Sequence, residues 1–385
     1  MMAVTIKKKP KIHLPQKTKP SGGLVIIVCL LFCWGLFTIG VTSFYFSLQQ
    51  YNNVWYLLEH QLLMAFIGIM LGVIAYKVPL KYWQKIAPYF FLLNFLFLIL
   101  VLVPQLGIAS KGAQRWINIF GFTFQPSEIM KISFVLYLAA WLASKESLKL
   151  KEKSHQSFKH FLLPFLVVLA VLFIVLIKQR DMTTLAIFCV LGAIIYFSSS
   201  APWWHWGVLG GIGGAAFFFF ARLESYRWQR IVNFLHPQTD PLGKGFQVQQ
   251  AAITIGSGRV LGVGEGFAFG LSRQKFNLLP EALTDSIFAV VCEELGFVGA
   301  FFLVVLFLLF LWKGLSIAKK AGQTFSGFLA LGITVWITLQ AFVNIGGITG
   351  ILPLGGVPLP FFSYGGSHLI SELMAVGLLL NASRS

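Results

Sequence analysis

The stretch Leu279-Pro280-Glu281-Ala282-Leu283-Thr284-Asp285-Ser286-Ile287-Phe288-Ala289-Val290 decides how this chain is read. A long polar loop ends on an acid, and an apolar run that continues to about residue 312 opens directly behind it. A run of that length is enough to cross roughly 30 Å of hydrocarbon as a helix. Aspartate is scarce here: Asp181, Asp240 and Asp285 are the only three. A carboxylate at a membrane boundary is costly to desolvate, so it asks for a reason. One reading is a helix N-cap, favoured by orphan N–H groups and the helix dipole. The other is a base held ready for proton chemistry, and the two are compatible.

Working outward, the composition is that of an integral membrane protein: 57% of residues are hydrophobic and 11% charged. Periodicity and length give an all-α polytopic fold of about ten transmembrane helices. They lie near 24–48, 57–76, 84–103, 127–143, 160–177, 182–199, 203–221, 286–312, 324–344 and 362–380. The seventh is the weakest, being glycine-rich through Gly210-Gly211-Ile212-Gly213-Gly214. One long loop, about 222–284, joins helices 7 and 8. Within it a short helix is expected over Phe246–Ile253, followed by a flexible glycine-rich passage from Gly256 to Gly270. The chain divides into a basic tail, 1–22, and a single transmembrane domain, 23–385. The first apolar run is too long for a signal-peptide core and reads as a signal anchor.

The net charge of +17 has a topological account rather than a nucleic-acid one. The tail (Lys7, Lys8, Lys9, Lys11, Lys17, Lys19) and the loops carrying Lys77, Lys81, Lys85, then Lys145 to Lys159, then Lys313, Lys319 and Lys320 fall on one side if the segments alternate. Both termini are then cytoplasmic, and the 222–284 loop is extracytoplasmic. The four cysteines show no metal or disulfide spacing and read as small buried thiols. No Gly-x-Ser-x-Gly, His-Glu-x-x-His, Walker A loop or dinucleotide fingerprint in context is present.

Four polar groups sit on the predicted outer side. Lys111 to Ile117, including Arg115, precedes Gln125-Pro126-Ser127-Glu128-Ile129-Met130-Lys131. Pro126 and Ser127 can start a helix; Glu128 and Lys131 are then one turn apart, either as a structural ion pair or as a polar site facing a water-filled cavity. Lys178-Gln179-Arg180-Asp181 is an interfacial charge cluster or a substrate contact. Arg273 and Lys275 precede Asp285 by about ten residues; such a pair is either solvated surface or, beside a base, a holder for phosphate. Last comes Gly356-Val357-Pro358-Leu359-Pro360-Phe361-Phe362-Ser363-Tyr364-Gly365-Gly366-Ser367, a helix-breaking run that needs a cavity or protein around it. Gln340 and Asn344, one turn apart on the preceding helix, can bond across to it.

In this order the motifs resemble those of the SEDS family, the FtsW/RodA/SpoVE group of bacterial cell-wall polymerases. The match runs through Gly112–Ile117, Gln125–Lys131, Asp240–Gly245, Ile255–Gly258, Leu279–Gly296 and Pro358–Ser367. Ser272-Arg273-Gln274-Lys275-Phe276 is closer to the division-type FtsW loop than to the elongation-type RodA loop. Three positions depart from the family pattern: Arg180 stands where a proline is usual, Thr183 where a glycine is usual, and Leu283 where a histidine is common. The stretch Gly264–Gly270 is slightly expanded.

The resemblance implies a peptidoglycan glycosyltransferase that joins lipid II into glycan strands, with inversion, and releases undecaprenyl pyrophosphate. Such a leaving group is already a good anion, so one base and several cations suffice where glycosidases need two carboxylates. Asp285 is the expected catalytic base. Arg115, Gln125, Glu128, Lys131, Asp181, Arg273, Lys275 and Ser363 are the expected substrate-binding residues. A divalent cation (Mg or Mn) can share the phosphate load, although no dedicated cage is visible. The implied partners are a class B penicillin-binding protein transpeptidase and other divisome proteins, in the bacterial cytoplasmic membrane. A lipid II flippase, a non-catalytic scaffold and an elongation-type role in cell shape are the competing readings.

Overall fold

The computed structural model describes residues 21–104, 107–110, 113–119, 122–149, 158–199, 201–223, 234, 244–263 and 279–384. Their helices are α1 (Gly22–Tyr51), α2 (Tyr56–Lys77), α3 (Leu80–Leu100), α4 (Pro126–Lys149), α5 (Phe158–Lys178), α6 (Met182–Phe197), α7 (His205–Leu223), α8 (Lys244–Ser257), α9 (Ile287–Ala321), α10 (Phe325–Ile348) and α11 (Gly366–Ala382). Each of the ten expected spans falls on one of these helices. Among the described residues, six (α1, α2, α3, α4, α9 and α10) are long and apolar enough to cross a membrane, and parts of α5, α6 and α11 form shorter apolar helices.

Helix α10 is the centre of the bundle. It packs against α9, α4, α11 and α6, and Trp336, Ile337 and Gln340 on it are fully buried. Helix α2 runs against α11 at very short range. A Cβ on Gly72 would lie 2.7 Å from the Leu373 carbonyl, and one on Gly377 would lie 2.1 Å from the Gly72 carbonyl. Small residues permit this approach, and dispersion between the two backbones holds it where apolar burial gives no preference over lipid. The weak signal of α7 also has a reason. Added Cβ atoms at Gly210, Gly211, Gly213 and Gly214 would meet nothing within 4 Å, so these glycines serve no close packing in the described structure.

The helical fold also carries one small antiparallel sheet: β1 (Gly107–Ser110), β2 (Ala113–Ile119) and β3 (Phe122–Phe124), in the order β1-β2-β3. Its signal in the sequence is the β-favouring set Trp116, Ile117 and Ile119. Other expectations need correction. Helices α4, α9 and α10 run four to nine residues beyond their expected ends. Hydropathy marks where lipid ends, not where the backbone ladder ends, so Lys145 and Lys313 still lie on helix. Cys29, Cys33 and Cys189 are exposed on the bundle surface, and only Cys292 is buried. In a membrane protein an apolar outer face costs nothing, so a small thiol need not be inside.

The expected short helix after the 240s is α8, longer than anticipated. The described part of the passage behind it, to Val263, is docked. Val263 N donates to Glu293 O (2.9 Å), Phe297 N to Arg259 O (2.9 Å) and Val298 N to Val260 O (3.1 Å). These bonds interrupt α9 at Gly296, whose φ is +63°. The backbones meet so closely that a Cβ on Gly296 would lie 2.4 Å from Gly262 N and Val260 O. Residues 264–278 lie outside the described structure. The Gly296→Ala variant should therefore lose both its allowed φ and its fit, costing more than about 1 kcal/mol. A drop of several degrees in the detergent melting midpoint checks this.

Candidate active site

The turn Glu281–Ser286 leads into α9 and carries Asp285. Glu281 has φ +56°, an uncommon conformation for a residue with a side chain. Its carbonyl accepts from Thr284 N (3.1 Å) and Ser286 N (3.0 Å), and its carboxylate accepts from the Thr284 hydroxyl (2.8 Å). Asp285 is not the helix N-cap. That position is Ser286, whose hydroxyl donates to Pro280 O (3.0 Å) and accepts from Gln247 Nε2 of α8 (2.9 Å). The turn is closed by its own hydroxyls and carbonyls.

Side chains of the bundle hold that turn against the helix-breaking run between α10 and α11. The amide of Asn344 donates one hydrogen to Asp285 O and the other to Val357 O, each at 2.8 Å. Ser363 donates to Thr284 O (2.6 Å) while accepting from Leu359 N (2.7 Å). Tyr364 N donates to Leu283 O (2.8 Å). Gly356, with φ +66°, lies against the acid: a Cβ there would be 3.2 Å from Asp285 Oδ2. Both Gln340 and Asn344 bond across to the run, as expected from their spacing, Gln340 Nε2 donating to Pro358 O (3.1 Å).

Beneath the run sits a second layer that the sequence reading did not single out. The buried carboxylate of Glu372 accepts from Phe361 N (2.8 Å) at a left-handed residue (φ +65°). Gln61 of α2 donates to Ser363 O (3.4 Å) and accepts from Gly365 N (3.1 Å). Both are polar residues in apolar helices, and that rarity alone was a usable signal. The Tyr364 hydroxyl meets His60 Nδ1 at 3.0 Å. Burial first, then the neighbouring Tyr51 and Tyr56, push this phenol up to about 12, so it stays protonated at neutral pH.

The other expected site residues divide. Arg115, on β2, reaches the α5–α6 corner: its guanidinium donates to Gln179 O (3.4 Å) and Arg180 O and lies 4.0 Å from Asp181 Oδ1. Asp181 caps α6 by accepting from Thr184 N (3.4 Å), and its buried Oδ2 has no hydrogen-bond partner among the described residues. Gln125 takes its place through backbone N, which donates to Ser367 Oγ (3.1 Å), and its side chain donates to Ser127 Oγ (3.0 Å). Glu128 and Lys131 form a buried ion pair at 2.7 Å, with side chains 4% and 1% exposed. Lys131 also donates to Gln340 Oε1 (2.7 Å) and lies over the Trp336 ring (5.3 Å). Their geometry is that of an internal brace between α4 and α10, below the run that carries Ser363. Arg273 and Lys275 lie outside the described residues.

Asp285 itself is half-buried, and beside its turn a cleft of about 490 Å³ opens between Thr42 and Tyr51 of α1 and Leu283, Thr284 and Tyr364. Among the described residues no three His, Cys, Asp or Glu side chains converge as a metal-binding group. A divalent cation here has no resident ligand set in the described structure, and no step below is routed through one.

The family model for cell cycle proteins of the FtsW, RodA and SpoVE type matches residues 23–385. The chain belongs to that family. Stage V sporulation protein E of Bacillus subtilis is 37% identical over 369 residues, covering 96% of this chain and 98% of the relative. The probable peptidoglycan glycosyltransferase FtsW of Geobacter metallireducens is 35% identical over 375 residues, covering 97% of each. Among solved structures, a chain of a peptidoglycan synthase complex that coordinates polymerisation and crosslinking aligns with a TM-score of 0.75 at 25% identity, over 95% of this chain and 98% of its own length. The rod shape determining protein RodA of Thermus thermophilus aligns with a TM-score of 0.68 at 24% identity, over 95% and 97%, and so shares the fold.

In this FtsW/RodA/SpoVE protein the brace makes a sharp prediction. Lys131→Met alone leaves Glu128 as a buried, unpaired charge and should cost about 3–5 kcal/mol. Adding Glu128→Gln should recover most of that loss. Detergent melting curves of the single and double variants check both statements.

Proposed function

We propose that this chain is a peptidoglycan glycosyltransferase of the division type, which polymerises lipid II with Asp285 as general base. One observation carries the reading: a half-buried carboxylate stands at a helix mouth whose backbone is strapped to the bundle by Asn344 and Ser363. An acid whose backbone is held in this way is fixed in place, which is what a base requires.

The chemistry follows. A hydroxyl of the acceptor saccharide gives its proton to an Asp285 oxygen as its own oxygen bonds to the donor's anomeric carbon from the face opposite the diphosphate. The anomeric carbon–phosphate oxygen bond breaks, and the diphosphate leaves with the electron pair. No acid is needed to protonate it, and fixed cations stabilise the charge that develops. We assign this role to Arg115, whose guanidinium meets the α5–α6 corner in three contacts, and to Arg273 and Lys275, which precede the base in sequence. Asp181 supports the reading by holding Arg115 at that corner. Ser363 and Gln125 act by holding the walls, and Glu128 with Lys131 by bracing them.

Relatives named probable peptidoglycan glycosyltransferase FtsW, and a structural neighbour from a peptidoglycan synthase complex, support the activity and a transpeptidase partner of the class B penicillin-binding type. Lys77, Lys313 and Arg384 lie at the end of the bundle opposite Asp285. Positive charge inside then puts both termini in the cytoplasm and the site on the outer face of the bacterial cytoplasmic membrane. A flippase should spread its essential polar groups through the full depth of the bundle. The acid and the cation proposed to act here, Asp285 and Arg115, lie at one end of the bundle, and the deepest charges, Glu128 and Lys131, neutralise each other.

Purified protein with lipid II, with and without the transpeptidase, should yield long glycan strands. Asp285→Asn should abolish polymerisation, a loss of at least about a hundredfold, while the melting midpoint stays within a degree or two. A folded Asp285→Asn protein that still makes long strands defeats the assignment.

A further inference from the structure

We propose that Thr183 is a positioning residue for Asp285, a tether through which the α5–α6 corner sets where the carboxylate sits. The inference rests on the polymerase reading and adds a residue to it. Thr183 occupies the first turn of α6, two residues beyond Asp181 and half-buried. Its hydroxyl donates to Gly355 O at 2.7 Å. The contact is close on both sides, since a Cβ on Gly355 would lie 2.6 Å from Thr183 Cγ2. The next residue, Gly356, is left-handed and lies against Asp285 Oδ2. The residue after that, Val357, is held by the same Asn344 amide that holds Asp285 O.

The backbone facing the carboxylate is therefore fixed at two points, Gly355 by Thr183 and Val357 by Asn344. Asn344 sits on α10 and ties base and wall to the core. Thr183 sits on α6 and ties the same wall to the corner where Arg115 and Asp181 meet. It thus fixes the spacing between the cationic corner and the base, the two groups that must act on opposite sides of one reacting bond. A displacement of an ångström or less at a base is enough to slow proton transfer while leaving binding intact.

The test compares wild type, Thr183→Val and Thr183→Ser as full-length purified proteins. Thr183→Val keeps the shape and removes the donor; its kcat for lipid II polymerisation should fall about tenfold with KM changed less than about twofold. Thr183→Ser keeps the donor and should stay within about twofold of wild type. Hydrogen exchange supplies a readout independent of activity. The protected amides of Leu359 and Ser286 should exchange at least about threefold faster in Thr183→Val, with α10 unchanged. Unchanged exchange, a wild-type kcat in folded Thr183→Val, or a Thr183→Ser protein as slow as Thr183→Val overturns the proposal. If wild type itself makes no glycan, the polymerase reading fails, and the exchange arm alone decides whether Thr183 positions the Asp285 turn.

Discussion

Two hydrogens of one side-chain amide hold the functional end of this bundle together. Asn344 gives one to the carbonyl of Asp285 and one to the carbonyl of Val357. Both carbonyls belong to backbone that has left the helix. Within a membrane protein such groups must find partners inside the protein, since an unsatisfied one costs several kcal/mol. The irregular segments at 281–286 and 353–365 exist because Asn344, Gln340, Ser363 and Gln61 satisfy them from neighbouring helices.

That constraint explains the depth of polar burial in so apolar a chain. Glu128, Lys131, Gln340 and Glu372 are almost fully buried, and each is tied by a hydrogen bond or ion pair to another or to the run they support. The layer behind the site is structural, since its charges and amides are spent on one another and on the run they support.

The spans were readable because a helix in lipid must be apolar along its whole length. The ends were less so, since Lys145 and Lys313 continue the ladder beyond the hydrocarbon. The small sheet was harder to see because its β-favouring residues, Trp116, Ile117 and Ile119, show no clean period of two. The contacts of Gln340 and Asn344 were visible in their spacing. Those of Gln61 and Glu372 were marked only by polarity, and nothing local told which distant backbone they would satisfy.

Sequence alone determined the class of molecule, the count and placement of its apolar helices, the asymmetry of its charge, and the one acid at a helix mouth. These follow from composition and period, which are properties of neighbours along the chain. Only the tertiary structure decided that Ser286 rather than Asp285 takes the N-cap position, that Glu128 and Lys131 brace the interior, and that Gly296 breaks its helix to admit another backbone. Those outcomes depend on which carbonyl meets which side chain across tens or hundreds of residues, and no local pattern encodes that meeting.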